Sequence, residues 1–381
     1  AQPQRGGSPP SPSSEQQQLQ QAEDQEDRNR QAGGDQESRG FGHAGGGGRL
    51  AEDLICIFHA SINHGLGFSV VNAFMFDFLP ADVMPRPPKT DSRIAPLQQS
   101  PEFAAALRLT GQNPLVLDRL KNTLVLQRDL HGVRTAMVNR AHIAKPLRLL
   151  EMLQEEGLHR TPVILSPDNP VPELARLGAV PLMSPAKVAL WDLNIDQDAR
   201  RAALHQKWRN RLNHAERQGL RITRQNMPGD AQHWLLTADA LQQQANRYKS
   251  WPAALTLAYA QANPGDAKLF QAFEGKDPVA AMLILRHGLG ATYHVSHATA
   301  RGKELSAHNL LLWEAASWLS AKGCSQLDLG VINTEDAAGL ARFKLGTGAR
   351  LQTLGGTWAY WHPARRLLRP LAALDRRMMA A

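Results

Sequence analysis

The amino-acid sequence predicts an α+β protein, a mixed sheet flanked by helices, behind a disordered N-terminal tail. Three observations predict it. Residues 1–49 are rich in Gln, Gly, Ser, Pro and acidic residues and almost lack large apolar side chains. Between Met75 and Leu193, short apolar runs alternate with helix-spaced ones. From 202 to 361 the apolar period changes from helical to strand-like and back. At 381 residues and 43% hydrophobic, the chain is long enough for two domains.

The tail cannot bury enough apolar surface to offset the entropy of ordering it. Residues 50–74 hold the apolar run Leu54–Phe58 but are interrupted by His59, Asn63, His64 and Asn72. They are too broken for a spanning helix, which needs about 20 apolar residues. Residues 1–74 therefore read as disordered or as a non-native extension, with Met75 as an alternative start.

A first domain is expected over 75–195. Leu115–Leu117 is a short strand, and 122–128 and 134–139 pair across the tight His131-Gly132 turn. Residues 145–156 form a helix that Gly157 stops. Pro162–Leu165 is a strand, and Pro172–Leu177 opens a short helix. A second domain is expected over 196–361. It begins with one helix over Gln197–Gln218, a strand at 220–224 and helices over 233–249 and 253–262. Strands follow at 267–273, 278–286 and 291–297, the last two joined by His287-Gly288-Leu289-Gly290. A loop covers 298–306, a helix 308–322 and a strand 326–329. A loop over 330–336, a short helix to Lys344 and strands within 351–361 complete it. Residues 362–381 form a basic helix with Arg365, Arg366, Arg369, Arg376 and Arg377 on one side and Leu367, Leu368, Leu371 and Leu374 on the other. Such a helix suits an anionic membrane surface, RNA or its own domain.

Charge and cysteine usage exclude some classes. The net charge is +8, and residues 1–50 carry 5 Arg against 7 Asp and Glu, so the excess lies in the folded part. Anionic partners fit that balance. Two cysteines, Cys56 and Cys324, make neither a disulfide framework nor a zinc site, and they suit a reducing cytoplasm. No metal is expected.

Two segments carry a resemblance. The first runs from Lys207-Trp208-Arg209-Asn210 to Ala215 and Gly219. The second runs from Leu310 through Asp328-Leu329-Gly330 to Gly339-Leu340-Ala341-Arg342-Phe343-Lys344. Together they resemble the Fem-type branch of the GNAT acyltransferase superfamily. There a K-x-R-N helix precedes the transferase domain, and a D-x-G strand end leads to a phenylalanine–lysine pair. The resemblance covers 202–361 and, more weakly, 100–195, and it implies tandem GNAT-like domains. It also implies that the strands on either side of the long helix part to admit an acyl donor.

Acyl transfer to an amine needs a held carbonyl, a stabilised oxyanion and an exit for the amine proton. The resemblance gives Lys344 the oxyanion role, unless it only complements a helix dipole. Asp328, at a strand end, is a base or positions the amine, or it bonds the following loop. His294 is the preferred proton acceptor of the His294/His297 pair, which period-two alternation sends to opposite faces. Phe343, Tyr293, Lys207, Arg209 and Asn210 are expected at the substrate site. Arg301 and Lys303 are expected on donor phosphates. One departure counts against this last expectation. The phosphate-cradling R-x-x-G-x-G/A turn has its counterpart in Arg301–Ser306, where Glu304 replaces the glycine.

The expectation is a cytoplasmic N-acyltransferase with acyl-CoA as co-substrate and a small amine or peptide as acceptor. Two alternatives stand beside it: an aminoacyl-tRNA-dependent ligase of cell-wall precursors, and a non-catalytic binding module. The oligomeric state is left open.

Overall fold

The computed structural model describes residues 94–117, 122–130, 132–245, 249–335 and 337–365. The expectations for 1–74 and for most of the basic 362–381 segment lie outside these residues.

The helices are α1 (Pro101–Leu109), α2 (Pro146–Glu155), α3 (Glu173–Arg176), α4 (Gln197–Ala202), α5 (Gln206–Glu216), α6 (Trp234–Ala245), α7 (Ala253–Ala262), α8 (Ala300–Glu304), α9 (Ala307–Ala321) and α10 (Ala338–Leu345). The strands are β1 (Leu115–Leu117), β2 (Thr123–Leu130), β3 (Val133–Asn139), β4 (Val163–Ser166), β5 (Val180–Met183), β6 (Lys187–Asp192), β7 (Arg221–Asn226), β8 (Ala267–Glu274), β9 (Asp277–His287), β10 (Gly290–Ala298), β11 (Gln326–Ile332), β12 (Arg350–Thr353) and β13 (Thr357–Tyr360).

Two mixed sheets result. The smaller has the order β1-β2-β3-β4-β13-β5, and the larger β12-β6-β11-β10-β9-β8-β7. Two strands cross the expected 195/196 boundary. β6 precedes it yet sits inside the larger sheet, and the late β13 sits inside the smaller one.

One face of the larger sheet packs on α5 and α9 through Trp191, Trp208, Leu212, Leu311 and Trp313. The other face meets α1, α6 and α7 and also the smaller sheet, through Leu124, Met137 and Ile164 against Leu283 and Val295. Burial on both faces explains the unbroken apolar run of β9.

The structure corrects two expectations here. The helix expected over 197–218 is two helices. Leu204 is buried at the break and His205 N–H bonds the Gly346 carbonyl, so tertiary contacts end α4 and start α5 anew. The loop expected at 298–306 contains α8, whose N-cap Thr299 accepts the Gly302 N–H at 3.1 Å.

Candidate active site

The larger sheet carries one parallel pair, β10 with β11, and it is short. Gly290, Ala291 and Thr292 face Gln326, Leu327 and Asp328, and there the pairing stops. Both strands run on, to Ala298 and Ile332. Each then carries a bulge against its outer neighbour. His294 is the extra residue of β10 against β9, and Leu329-Gly330 interrupt the β11 register against β6. A bulge bends its strand and increases its twist. Two bulges on the outer edges just past the last shared pair therefore steer the strands apart. The slot expected for an acyl donor would lie where this pairing has ended.

The Asp328-Leu329-Gly330 sequence has a local reason. Gly330 takes φ +81°, a left-handed conformation that glycine adopts without a Cβ penalty. Its N–H, released from the ladder, donates to Asp328 Oδ1 at 2.7 Å. The other carboxylate oxygen accepts from Arg140 Nη2 at 3.0 Å. Arg140 also donates from Nε to Asp168 Oδ1 at 2.5 Å, and Gln352 donates to Asp168 Oδ2 at 2.8 Å. A buried relay thus joins the end of β3, the loop after β4, β11 and β12. Burial holds the Asp168 carboxyl above its usual range, against the pull of Arg140. Each Asp328 oxygen thus accepts one hydrogen bond, from the following loop and from Arg140.

Lys344 lies at the end of α10, 1% exposed, and its Nζ donates to the Val331 carbonyl at 2.9 Å on the parted stretch of β11. Burial lowers its amine to about 8, and Asp328 opposes that shift. The ammonium is packed inside, next to the slot strand. Trp208 on α5 fixes this segment by donating from its indole to the Phe343 carbonyl at 3.0 Å. The Phe343 ring lies 6.1 Å from Trp208 and 6.1 Å from His308, the first-turn histidine of α9. Burial lowers His308 to about 4, so it is neutral near pH 7.

Other expected site residues fall elsewhere. His294 is fully buried, its ring tilted against Trp251 at 4.8 Å and bonded through Nε2 to Thr256 at 2.9 Å. His297 packs edge-on to Trp234. Both rings lie on the α6–α7 side, because the bulge at His294 resets the alternation. This overturns the opposed-face expectation, and His294 is a packed residue of that layer. Tyr293 points the other way, into the α9 core, with its hydroxyl on Ser296. Burial pushes that hydroxyl up to about 12. Arg209 donates to the Ala202 and Leu204 carbonyls and so caps α4, while Lys207 and Asn210 are exposed. Arg301 is spent on Glu274 at 2.7 Å and Glu304 at 3.0 Å, which compensates its charge; Lys303 is exposed.

The structure adds residues that the sequence did not single out: Arg140, Asp168, Gln352 and His308, with Trp208 as a positioning contact. Nothing local marks Arg140, whose partner Asp328 is 188 positions away. Among the described residues no cluster of His, Cys, Asp or Glu is arranged to hold a metal.

The parallel pairing of β10 and β11 thus ends beside the buried Lys344 ammonium. Residues 200–348 match the acetyltransferase (GNAT) domain family. That part of the chain is similar to the family that the Lys207–Lys344 motifs implied. The fold of FemX is similar, with a TM-score of 0.59 at 12% identity over 72% of this chain and 94% of that one. L-PGS from Bacillus licheniformis is also similar, with a TM-score of 0.44 at 14% identity over 74% of this chain and 97% of that one. No curated protein matches in sequence.

Proposed function

We propose that this chain is an N-acyltransferase in which an amine attacks an activated acyl carbonyl held in the β10–β11 slot. One observation carries the reading. The strands share only three paired positions, and a buried ammonium, Lys344, lies on the parted stretch of β11. The amine nitrogen bonds the acyl carbon while the carbonyl electron pair moves to oxygen. Lys344 stabilises that oxyanion, where a compact ammonium in a dry site is most effective. The carbonyl re-forms, the bond to the leaving thiol or hydroxyl breaks, and the amine proton leaves with it.

The proposed donor is a CoA thioester. The Arg301–Ser306 turn does not fit its diphosphate. Thr299 already takes the Gly302 N–H, and Arg301 is paired twice. No phosphate contact is assigned there. The same closed turn favours a second reading, an aminoacyl-tRNA ester donor, which other Fem-type proteins use. The proposed acceptor is a small amine or peptide, and the proposed compartment is the cytoplasm. Among the described residues no helix is long and apolar enough to cross a membrane.

The test is release of free thiol from acetyl-CoA across a panel of amines, run beside transfer from charged tRNA with and without ribonuclease. Thiol release that Lys344→Ala lowers at least about 100-fold supports the first reading. Ribonuclease-sensitive transfer supports the second. Full turnover by Lys344→Ala with either donor sinks the role given to Lys344.

A further inference from the structure

The slot belongs to the larger sheet, yet its charge balance is set from the smaller one. Lys344 and Asp328 are close enough for the carboxylate to act on the amine, but they form no ion pair. Asp328 Oδ1 is taken by Gly330 N–H and Oδ2 by Arg140. Arg140 is held from the far side by Asp168, which Gln352 holds in turn. Arg140 is 9% exposed and takes φ +55°, which costs an ordinary residue about 1 kcal/mol. Its N–H donates to the Ser166 carbonyl at 2.7 Å, so this strained backbone is pinned at the end of the β3–β4 pair. An ammonium has three N–H groups. Among the described residues, Val331 takes one of those of Lys344.

We infer that Arg140 is a positioning residue for acyl transfer, which occupies the Asp328 carboxylate and so leaves the Lys344 ammonium to the donor carbonyl. This rests on the proposed role of Lys344. Without Arg140, Asp328 is a bare buried carboxylate beside a buried ammonium, and the two pair. The lysine then turns from the slot and holds its proton more tightly. The other groups around Lys344 do not compete. His308, beyond Phe343 on α9, is neutral above pH 5; α5 presents Trp208; Arg342 on α10 is exposed. Asp168 acts through Arg140.

The experiment uses the full chain labelled with [13Cε]lysine, with the Lys344 resonance assigned by its loss in Lys344→Arg. The wild-type resonance titrates near pH 8. In Arg140→Gln the midpoint rises by about one pH unit or more, and kcat at pH 7.5 falls about tenfold. In Arg140→Gln/Asp328→Asn the midpoint returns to the wild-type value or below, and kcat recovers in part. If Arg140→Gln does not fold, Asp328→Asn carries the test alone. It removes the charge that raises the amine, so the midpoint falls below the wild-type value.

An unmoved midpoint in Arg140→Gln, or in Asp328→Asn where that is the folded variant, overturns the inference. So does a double variant whose Lys344 midpoint stays raised, because the Asp328 charge is then not what raised it. Shifted midpoints with full turnover in Lys344→Ala separate the two ideas. The charge arrangement then stands, while the acyl-transfer role and the purpose given to Arg140 fall together.

Discussion

Thr292 faces Asp328 as the last matched pair of β10 and β11, and the bulges that pull the strands apart begin within two residues of it. The end of their pairing therefore coincides with backbone irregularities at defined positions. Gly330 bears the clearest backbone demand. An alanine there is forced to φ +81°, at a cost of about 1–2 kcal/mol. Relaxation of that strain moves the N–H that holds Asp328. Gly330→Ala is expected to lower the thermal midpoint by several degrees and kcat more than about tenfold, measured on the fraction that remains folded.

Lys344 is costly to the fold. Its amine drops from its usual 10.5 to about 8, so the unfolded chain binds more protons between those values. Stability therefore rises with pH across that window, and the cost of the buried ammonium is fully present below about pH 8. Lys344→Met keeps the shape and removes the charge. It is expected to be as stable as wild type or more stable by about 1–3 kcal/mol at pH 7 in urea unfolding, while turnover is lost. A variant both inactive and strongly destabilised makes Lys344 a packing residue.

The same shift sets a pH dependence. The oxyanion role needs the protonated amine. The kcat profile is expected to keep its charged lysine below about 8 and to fall as pH rises through that value, about tenfold per unit at the limit. In Asp328→Asn the falling limb moves to lower pH, because Asp328 is the group that raises the amine. A limb near 10 means that the lysine is solvated in the working enzyme.

Elements with strong local signals were legible in the sequence. The pairing of β2 with β3, the meander from 267 to 298 and the helix ended by Gly323 all appear within a residue or two of expectation. β6 was not legible. Buried on both faces between β12 and β11, Val188–Trp191 is an unbroken apolar run with no alternation to read. The split of the 197–218 helix was also hidden, since its cause is the distant Gly346 carbonyl. At the site, Lys344, Phe343 and Asp328 came from motif resemblance. The facing of His294 failed because one extra residue in a strand reverses every side chain after it. Arg140 and Asp168 have no local signature; only the packing of one sheet on the other brings them to Asp328.

Arg301 separates a donor bound at the α8 turn from one bound elsewhere. Its two carboxylate partners sit at 2.7 and 3.0 Å, and all three side chains are solvent-facing. Exposed pairs of this kind contribute about 0–1 kcal/mol each. Arg301→Ala is therefore expected to change the thermal midpoint by no more than a few degrees. With its charge already compensated, its loss is also expected to change the KM for the acyl donor less than about twofold. Gly302→Ala makes the contrast. A Cβ there meets the Val279 carbonyl oxygen at 2.1 Å, and backbone cannot yield as a flexible side chain can. That variant is expected to unfold several degrees lower by displacing α8 from β9. A tenfold rise in donor KM in Arg301→Ala, with stability intact, shows instead that Glu274 and Glu304 release the arginine when donor binds, and the turn is then a phosphate site after all.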